Sequence, residues 1–318
     1  MAPNSPKLAL LLVVPCVLTL QSPAWRFRDG VALRSISVKS RTAASVDGAF
    51  SATAPTAPTE KNTPTNESAP SVKIAAAKAR LRDALAANDR STKAPEVVAA
   101  VEALAALNPT PRPAASPLFC GEWVQTSDPD FPGSLGQDAD GRVQYTLGRL
   151  GFNLFKPKQL VCSIDQPRNP VAESGDGLSY DFVVPLYFKT ESGERVKGTL
   201  RNRAECVVAS DTRLSVKFLG GELRPDVDEC DAWQPDCDAW RSTFEDAFSA
   251  KTKKRERVAN WLMAKLMGLT RPDGLGDDGA MAYELRKPME AFVDVLYLDD
   301  ELRVTKGSRG TVVISERA

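Results

Sequence analysis

The sequence contains no histidine. Catalytic sites of the Ser-His-Asp and Cys-His types are therefore excluded, and so is any imidazole ligand to a metal. Acid–base chemistry at neutral pH would need a carboxylate, lysine, cysteine or tyrosine with a strongly shifted pKa. Motifs of the Walker A and GxSxG types are also missing, so neither a P-loop nucleotide site nor an α/β-hydrolase site is indicated. The sequence predicts no metal and no other cofactor.

The chain also lacks an excess of charge of either sign. Lysine and arginine together number 41, and so do aspartate and glutamate, in a chain of 318 residues. A general nucleic-acid binder is basic overall, so no nucleic-acid partner is predicted. The length and the apolar content of 42% suffice for one or two domains whose core needs no disulfide bridges.

Residues 1–50 have the composition of a targeting leader. Residues 8–20 (LALLLVVPCVLTL) are uncharged and too few to span a bilayer, which is typical of a signal peptide, here predicted over residues 1–24. Residues 25–50 are rich in Arg, Ser and Ala and predict a transit peptide; a secreted protein with a basic pro-segment is the alternative. This order resembles the leaders of algae with complex plastids, which implies import through the endoplasmic reticulum into a plastid.

A linker and two helices are predicted before the main domain. Residues 51–71 contain no aromatic residue and little to bury, so we expect a disordered linker. Residues 72–108 should form two helices, the second of which begins near Pro95 and ends before Pro109. We expect both helices to lie against the domain that follows.

Residues 109–318 show the period-two pattern of β-strands. Leu214, Val216 and Phe218 alternate with polar residues, and further short strands are predicted at 160–164, 180–188, 196–201, 206–208 and 292–298. Many short strands with one apolar face favour a barrel or sandwich. The predicted fold is therefore mainly β with flanking helices (α+β), an antiparallel β-barrel or sandwich with a helical insertion at about residues 226–285.

Two segments at the ends of this region carry a family resemblance. Residues 108–109 (NP) lead to LFCGEW at 118–123, and the chain closes with YLDDELRVTKGSRGTVVI at 297–314. These motifs resemble the plastid lipid-associated protein (fibrillin) family over roughly residues 95–318. The resemblance implies a lipocalin-like barrel in a plastid, in the stroma or at plastoglobules or thylakoids. It also implies binding of a quinone, carotenoid or acyl lipid, with no established catalytic reaction.

The residues predicted to contact a ligand come from the strands and the closing hairpin. Arg303 is expected either to pair with Asp299 or Asp300 at the barrel mouth or to contact a ligand headgroup. Trp123 is expected in the barrel core, with a ligand contact as the alternative. The apolar strand residues are either core or ligand wall, so the candidate ligand-binding set is Arg303, Asp299, Trp123, Val216 and Phe218.

The predicted insertion adds two further hypotheses. Its tandem CDAW repeat contains Cys230 and Cys237, which form a disulfide, stay free or act as a redox pair. Residues 240–269 have a helical pattern with a basic cluster, which favours either packing on the barrel or contact with an anionic membrane. The candidate membrane contacts are Trp261, Leu262, Lys253, Lys254 and Arg255.

These patterns favour a non-enzymatic protein that binds an apolar, lipid-like ligand and contacts a plastid membrane or plastoglobule surface, with a structural, lipid-storage or stress-protection role. One alternative is an enzyme that uses Asp299, Asp300 or Glu301 at the barrel mouth. Another is a scaffold whose barrel is filled by its own side chains.

Overall fold

The computed structural model describes residues 69–190, 193–226, 238–249, 265, 268–272 and 274–318. The targeting leader predicted over residues 1–50 and nearly all of the predicted linker lie outside these residues. The described part is mainly β, with an eight-stranded closed antiparallel barrel and flanking helices, as the sequence predicts.

Two helices precede the strands. Helix α1 (Ala69–Ala87) begins inside the segment predicted as linker, and α2 (Pro95–Ala105) starts at the predicted proline. Their buried side chains, including Leu81, Leu85 and Leu104, pack against the outer face of the barrel. Two short 3-10 turns, Pro113–Ala115 and Pro117–Phe119, then lead into the first strand.

The strands of the described residues vary widely in length, because the longest ones serve both the barrel and a sheet that extends from it. They are β1 (Gly121–Gln125), β2 (Gln144–Thr146), β3 (Val161–Ile164), β4 (Arg168–Ser174), β5 (Gly177–Tyr180), β6 (Phe182–Lys189), β7 (Arg195–Val208), β8 (Arg213–Pro225), β9 (Leu269–Thr270), β10 (Met281–Leu298), β11 (Leu302–Gly307) and β12 (Val312–Arg317). Two more helices, α3 (Leu147–Leu150) and α4 (Asp238–Ser249), lie between strands.

The barrel closes because β1 pairs with both β12 and β4. Its strand order is β1-β12-β11-β10-β8-β7-β5-β4, and β4 returns to β1 through the pair Trp123 and Asn169. Every pairing in this ring is antiparallel. Closure removes the exposed sheet edges that would otherwise invite pairing with other chains.

Strands β7, β8 and β10 continue beyond the barrel and form the extension sheet with β2, β3, β6 and β9. The register between β8 and β10 shifts between Glu284 and Met289, at the junction of barrel and extension. Helix α4 covers this sheet, where its Trp240 and Phe244 are fully buried against Phe188.

The predicted insertion was too long. Residues 281–285 were assigned to it, yet they belong to β10 and pair with β8, and Leu269–Thr270 forms β9. Met281, Tyr283 and Leu285 are buried, whereas Ala282 and Glu284 are exposed, so this part of β10 has the period-two pattern of a strand with one covered face and could be predicted from the sequence. Two further corrections concern strands: residues 180–188 divide into β5 and β6 at Asp181, and residues 206–208 are the end of β7.

The wall of the barrel at β11 is buried on both faces. Leu302 and Val304 pack against the helices, whereas Arg303 and Thr305 point inward, and all four side chains are buried. The alternation that the sequence predicts is therefore present. It nevertheless places an arginine in the interior of the barrel.

Candidate functional site

The candidate site lies at one end of the barrel, beneath the two 3-10 turns. Residues 113–119, which we call the plug, cross this end, and the buried ring of Phe119 projects into the interior. The indole Nε1 of Trp123 donates a hydrogen bond to the Phe119 carbonyl at 3.0 Å. Phe119 also stacks on Tyr180, with ring centroids 6.1 Å apart.

Arg303 is the unusual residue of this interior. Its side chain enters from β11 and only 1% of the residue is exposed. The guanidinium carbon lies 4.9 Å from the centroid of the Phe119 ring and 4.8 Å from that of Trp123. One nitrogen, Nη2, donates to the side-chain oxygen of Asn169, whereas Nε and Nη1 have no hydrogen-bond partner. Buried guanidinium N–H groups are normally all paired, so this arrangement is incomplete.

The surroundings of Arg303 are positive. A second guanidinium, that of Arg317, lies 4.3 Å from the ring of Trp123. Within the described ranges no carboxylate lies within salt-bridge distance of Arg303, and Arg317 donates instead to the carbonyls of Leu118, Cys120 and Asp300. An anion beside Arg303 would meet two unpaired N–H-bearing nitrogens and, among the described residues, no carboxylate paired with them.

The burial of this charge lowers the pKa of Arg303. Loss of hydration, reinforced by the neighbouring Arg317, lowers the pKa of Arg303 from 12.5 to about 10. A difference of this size corresponds to a cost of about 3 kcal/mol for holding the charged form in the barrel. Stacking on two aromatic faces offsets part of this cost, at roughly 2 kcal/mol for a desolvated contact, but does not satisfy the unpaired N–H groups.

The other titratable groups in the interior are neutral. Burial raises the pKa of Cys206 to about 12 and also raises the pKa of Tyr180, although the charge of Arg303 works against both shifts. A thiol and a phenol with such pKa values carry no charge at neutral pH. Neither group can therefore compensate the guanidinium.

The predicted pair between Arg303 and Asp299 or Asp300 is wrong. Asp299 lies on the other side of the barrel wall, where one carboxylate oxygen is 2.5 Å from Nζ of Lys78 on α1 and accepts from the Tyr297 hydroxyl. Its other oxygen accepts from the backbone N–H groups of Glu301 and Leu302, at 2.9 and 2.7 Å. The two residues face opposite ways because one belongs to the turn and the other to the inward face of β11.

These contacts of Asp299 also concern the alternative of an enzyme that uses Asp299 as a catalytic carboxylate. Burial alone raises the pKa of Asp299, but the hydrogen bonds from Lys78, Tyr297 and the backbone outweigh it and the pKa is lowered. All four contacts hold the carboxylate in its ionised form. A side chain occupied in this way fixes a turn and is not free to accept a substrate proton.

The remaining ligand-binding candidates belong to the packed core. Val216 of β8 is 1% exposed and lies opposite Cys206 of the neighbouring strand β7. Trp123 is fully buried in the same cluster. Phe218 is half-buried and packs at the junction of the barrel and the extension sheet. The structure therefore brings Arg303 and Trp123 together and keeps Asp299 apart from them.

The hypotheses on the insertion lie outside the described residues. They are the disulfide pair Cys230 and Cys237 and the membrane contacts Lys253, Lys254, Arg255, Trp261 and Leu262. In the described part of the chain, no helix is long and apolar enough to cross a membrane. The same residues contain no group of three or more acidic or cysteine side chains placed to hold a metal ion.

A cleft of about 530 Å³ lies outside the barrel, between α1 and strands β11 and β12. Leu81, Leu85 and Ile314 contribute to its apolar lining. Ion pairs border it, among them Arg82 with Glu316 at 2.7 Å and Arg90 with Asp128 at 3.6 Å. Because these charges are paired with each other, they attract an anion less strongly than the unpaired charge of Arg303 in the barrel interior does.

Three residues of the site were not predicted from the sequence: Phe119, Asn169 and Arg317. Arg317 could have been found, because it alternates with Val313 and Ser315 and so shares their inward face. Asn169 stands in a strand with a proline beside it and carries no recognisable pattern. Phe119 lies in a proline-rich connection, where periodicity gives no information.

Comparison with protein-family models, with curated proteins and with solved structures finds no match to this chain.

Proposed function

We propose that this chain is a non-catalytic binding protein that holds an apolar molecule with an anionic head, such as a fatty acid, with the head against Arg303. The observation that carries the proposal is the buried guanidinium with two unpaired nitrogens. A carboxylate would complete its hydrogen bonds and compensate its charge. Among the ligands that the family resemblance implies, this favours an acyl lipid over a quinone or a carotenoid.

Such a ligand enters at the end of the barrel that the plug covers. The interior side chains next to Arg303 are almost fully buried, so a tail needs space that they now occupy. Phe119 belongs to the plug and to no strand, so its ring can leave the guanidinium without breaking a strand pair. A ligand head in place of that ring would exchange one aromatic contact for a charge-assisted hydrogen bond.

The proposal extends to where the protein acts. The leader composition and the resemblance of residues 95–318 support a plastid, in which acyl lipids are available at thylakoid and plastoglobule surfaces. Lipid storage, structural support and protection under stress are all compatible with reversible binding of an acyl lipid. We assign no reaction to the protein, and its partners are the ligand and the lipid surface.

A test is calorimetric titration of the full-length chain with dodecanoate and with dodecanol. The acid should bind, and the alcohol of equal length should bind at least tenfold more weakly, because only the acid is charged at neutral pH. Arg303→Met should abolish the preference for the acid. Arg213→Met, which removes an exposed arginine paired with Asp294, is the matched control and should bind like the wild type.

A second candidate function, a scaffold with a filled barrel, is favoured by the packing of the interior. Trp123, Phe119 and Leu214 show no exposure at all, and Val216 shows 1%. A scaffold would bind neither dodecanoate nor dodecanol. If neither ligand gives heat on titration nor raises the unfolding temperature of the folded chain, the proposed ligand binding is contradicted and the scaffold remains.

A further inference from the structure

The loop after α3 presents an aromatic side chain to solvent. Phe152 is 50% exposed, whereas Leu150, Leu154 and Phe155 on either side of it are buried in the core. Its φ is 53°, in the left-handed region that a bulky side chain rarely adopts. The fold thus holds Phe152 outward against the backbone preference of the residue.

This loop is rigid in its backbone. The amide of Asn153, which also has a positive φ, donates to the Gly148 carbonyl at 2.7 Å, and that of Leu154 donates to Gly151 at 2.8 Å. Gly148 in turn donates to the Lys158 carbonyl at 2.9 Å, which ties the two ends of the loop together. An exposed phenyl ring on a rigid loop loses little conformational entropy when it is buried by a partner.

The charges of the loop have one sign. Residues 147–160 contain Arg149, Lys156 and Lys158 and no acidic residue. Arg149 is exposed, and another exposed apolar side chain, Val161, follows at the base of the loop. An aromatic tip with basic residues around it complements a surface that is apolar below and anionic at its headgroups.

We propose that residues 147–160 are a membrane-docking loop, in which Phe152 enters the interface of an anionic lipid layer and the exposed Arg149 meets the headgroups. The inference rests on the proposed function in one respect: a lipid surface is the source from which the barrel takes its acyl ligand. The two sites are nevertheless separate, since Arg303 lies inside the barrel and the loop adjoins strands β2 and β3 of the extension sheet.

The test is co-sedimentation of the full-length chain with vesicles of phosphatidylcholine, with and without phosphatidylglycerol. We expect binding to the anionic vesicles, and Phe152→Gly should weaken it about tenfold through loss of the buried ring. Because glycine adopts a positive φ freely, this variant should unfold at the same or a higher temperature than the wild type. Phe152→Asn serves as a second variant, since asparagine also tolerates the left-handed region.

Val208→Ser is the matched control: Val208 is 48% exposed at the far end of β7 and should not affect vesicle binding. Arg149→Glu should reduce the preference for anionic vesicles, because it reverses the charge of an exposed side chain of the loop. Wild-type binding by both folded Phe152 variants, or equal binding to neutral and anionic vesicles, would overturn the docking loop.

The same variants separate this inference from the proposed function. Arg303→Met should lose the preference for dodecanoate over dodecanol and keep vesicle binding, whereas Phe152→Gly should keep that preference and bind vesicles more weakly. If the chain binds no vesicle of either composition but still binds dodecanoate, the docking loop alone is contradicted.

Discussion

At the scale of single residues, the closing hairpin contains one charge that is fully paired and one that is not. Asp299 is bound by Lys78, Tyr297 and two backbone amides, so its burial is compensated. Arg303 has one hydrogen bond and two aromatic contacts. A buried charge that remains unpaired reduces stability, and a ligand that completes its hydrogen bonds would recover this cost.

The paired charge gives a prediction about stability and pH. Asp299→Asn leaves Lys78 with Glu301 as its remaining carboxylate and should lower the free energy of unfolding by about 3 kcal/mol at pH 7. The pKa of Asp299 lies below its ordinary value of 3.8, so this contribution is complete above that pH and is lost as the pH falls through the lower native pKa. Urea unfolding of both chains at pH 7 and at pH 3 measures the difference.

Asp294→Asn provides the control, since Asp294 pairs with Arg213 on the surface and should contribute less than about 1 kcal/mol. A loss at pH 7 no larger for Asp299→Asn than for this control would show that the contacts of Asp299 do not stabilise the fold.

At the scale of elements, the plug is the part of the barrel that can open. It lies outside every strand, and the guanidinium of Arg317 holds its end by hydrogen bonds to the carbonyls of Leu118 and Cys120, at 2.7 and 2.9 Å. The strands around it are joined by continuous ladders. Opening the whole plug therefore needs the loss of a few side-chain bonds, of the backbone bond from Ala114 to the Asp211 carbonyl at 3.0 Å and of one buried ring, and no strand has to separate.

This arrangement predicts a gate. Arg317→Ala should speed the association of a fluorescent fatty acid about tenfold in stopped-flow measurements, because opening then costs about 1.5 kcal/mol less. Arg213→Ala, on the surface of β8, should leave the rate unchanged. Equal association rates in both variants and the wild type would show that the plug does not limit entry.

The elements also show how far the sequence could predict the molecule. The two N-terminal helices and the alternation at β8 follow from periodicity, because each has one face toward a core. Periodicity leaves a barrel and a sandwich open, and only the family resemblance favours the barrel. Strand β10 is predicted only from residue 292 onward, although it begins at Met281, where buried and exposed residues alternate as the sequence pattern would allow one to expect. The site itself needed tertiary information: Arg303 and Asn169 are 134 residues apart.

At the scale of the whole molecule, the described structure combines a closed barrel with a sheet that extends from it. The barrel contains the buried cation, and the extension sheet supports the membrane-docking loop. Net charge is zero over the chain, so neither site arises from a general excess of positive charge. Both depend on where particular basic side chains lie in the structure, and composition alone does not reveal such positions.

The most direct test of the central claim is NMR of the full-length chain labelled with ¹⁵N-arginine, titrated with dodecanoate, with Arg303→Met used to assign the Nε signal of Arg303. We predict that this buried signal shifts in a stoichiometric manner with the acid and does not shift with dodecanol. If it stays unchanged at saturating dodecanoate, Arg303 does not bind the head of the ligand and the proposed function is wrong.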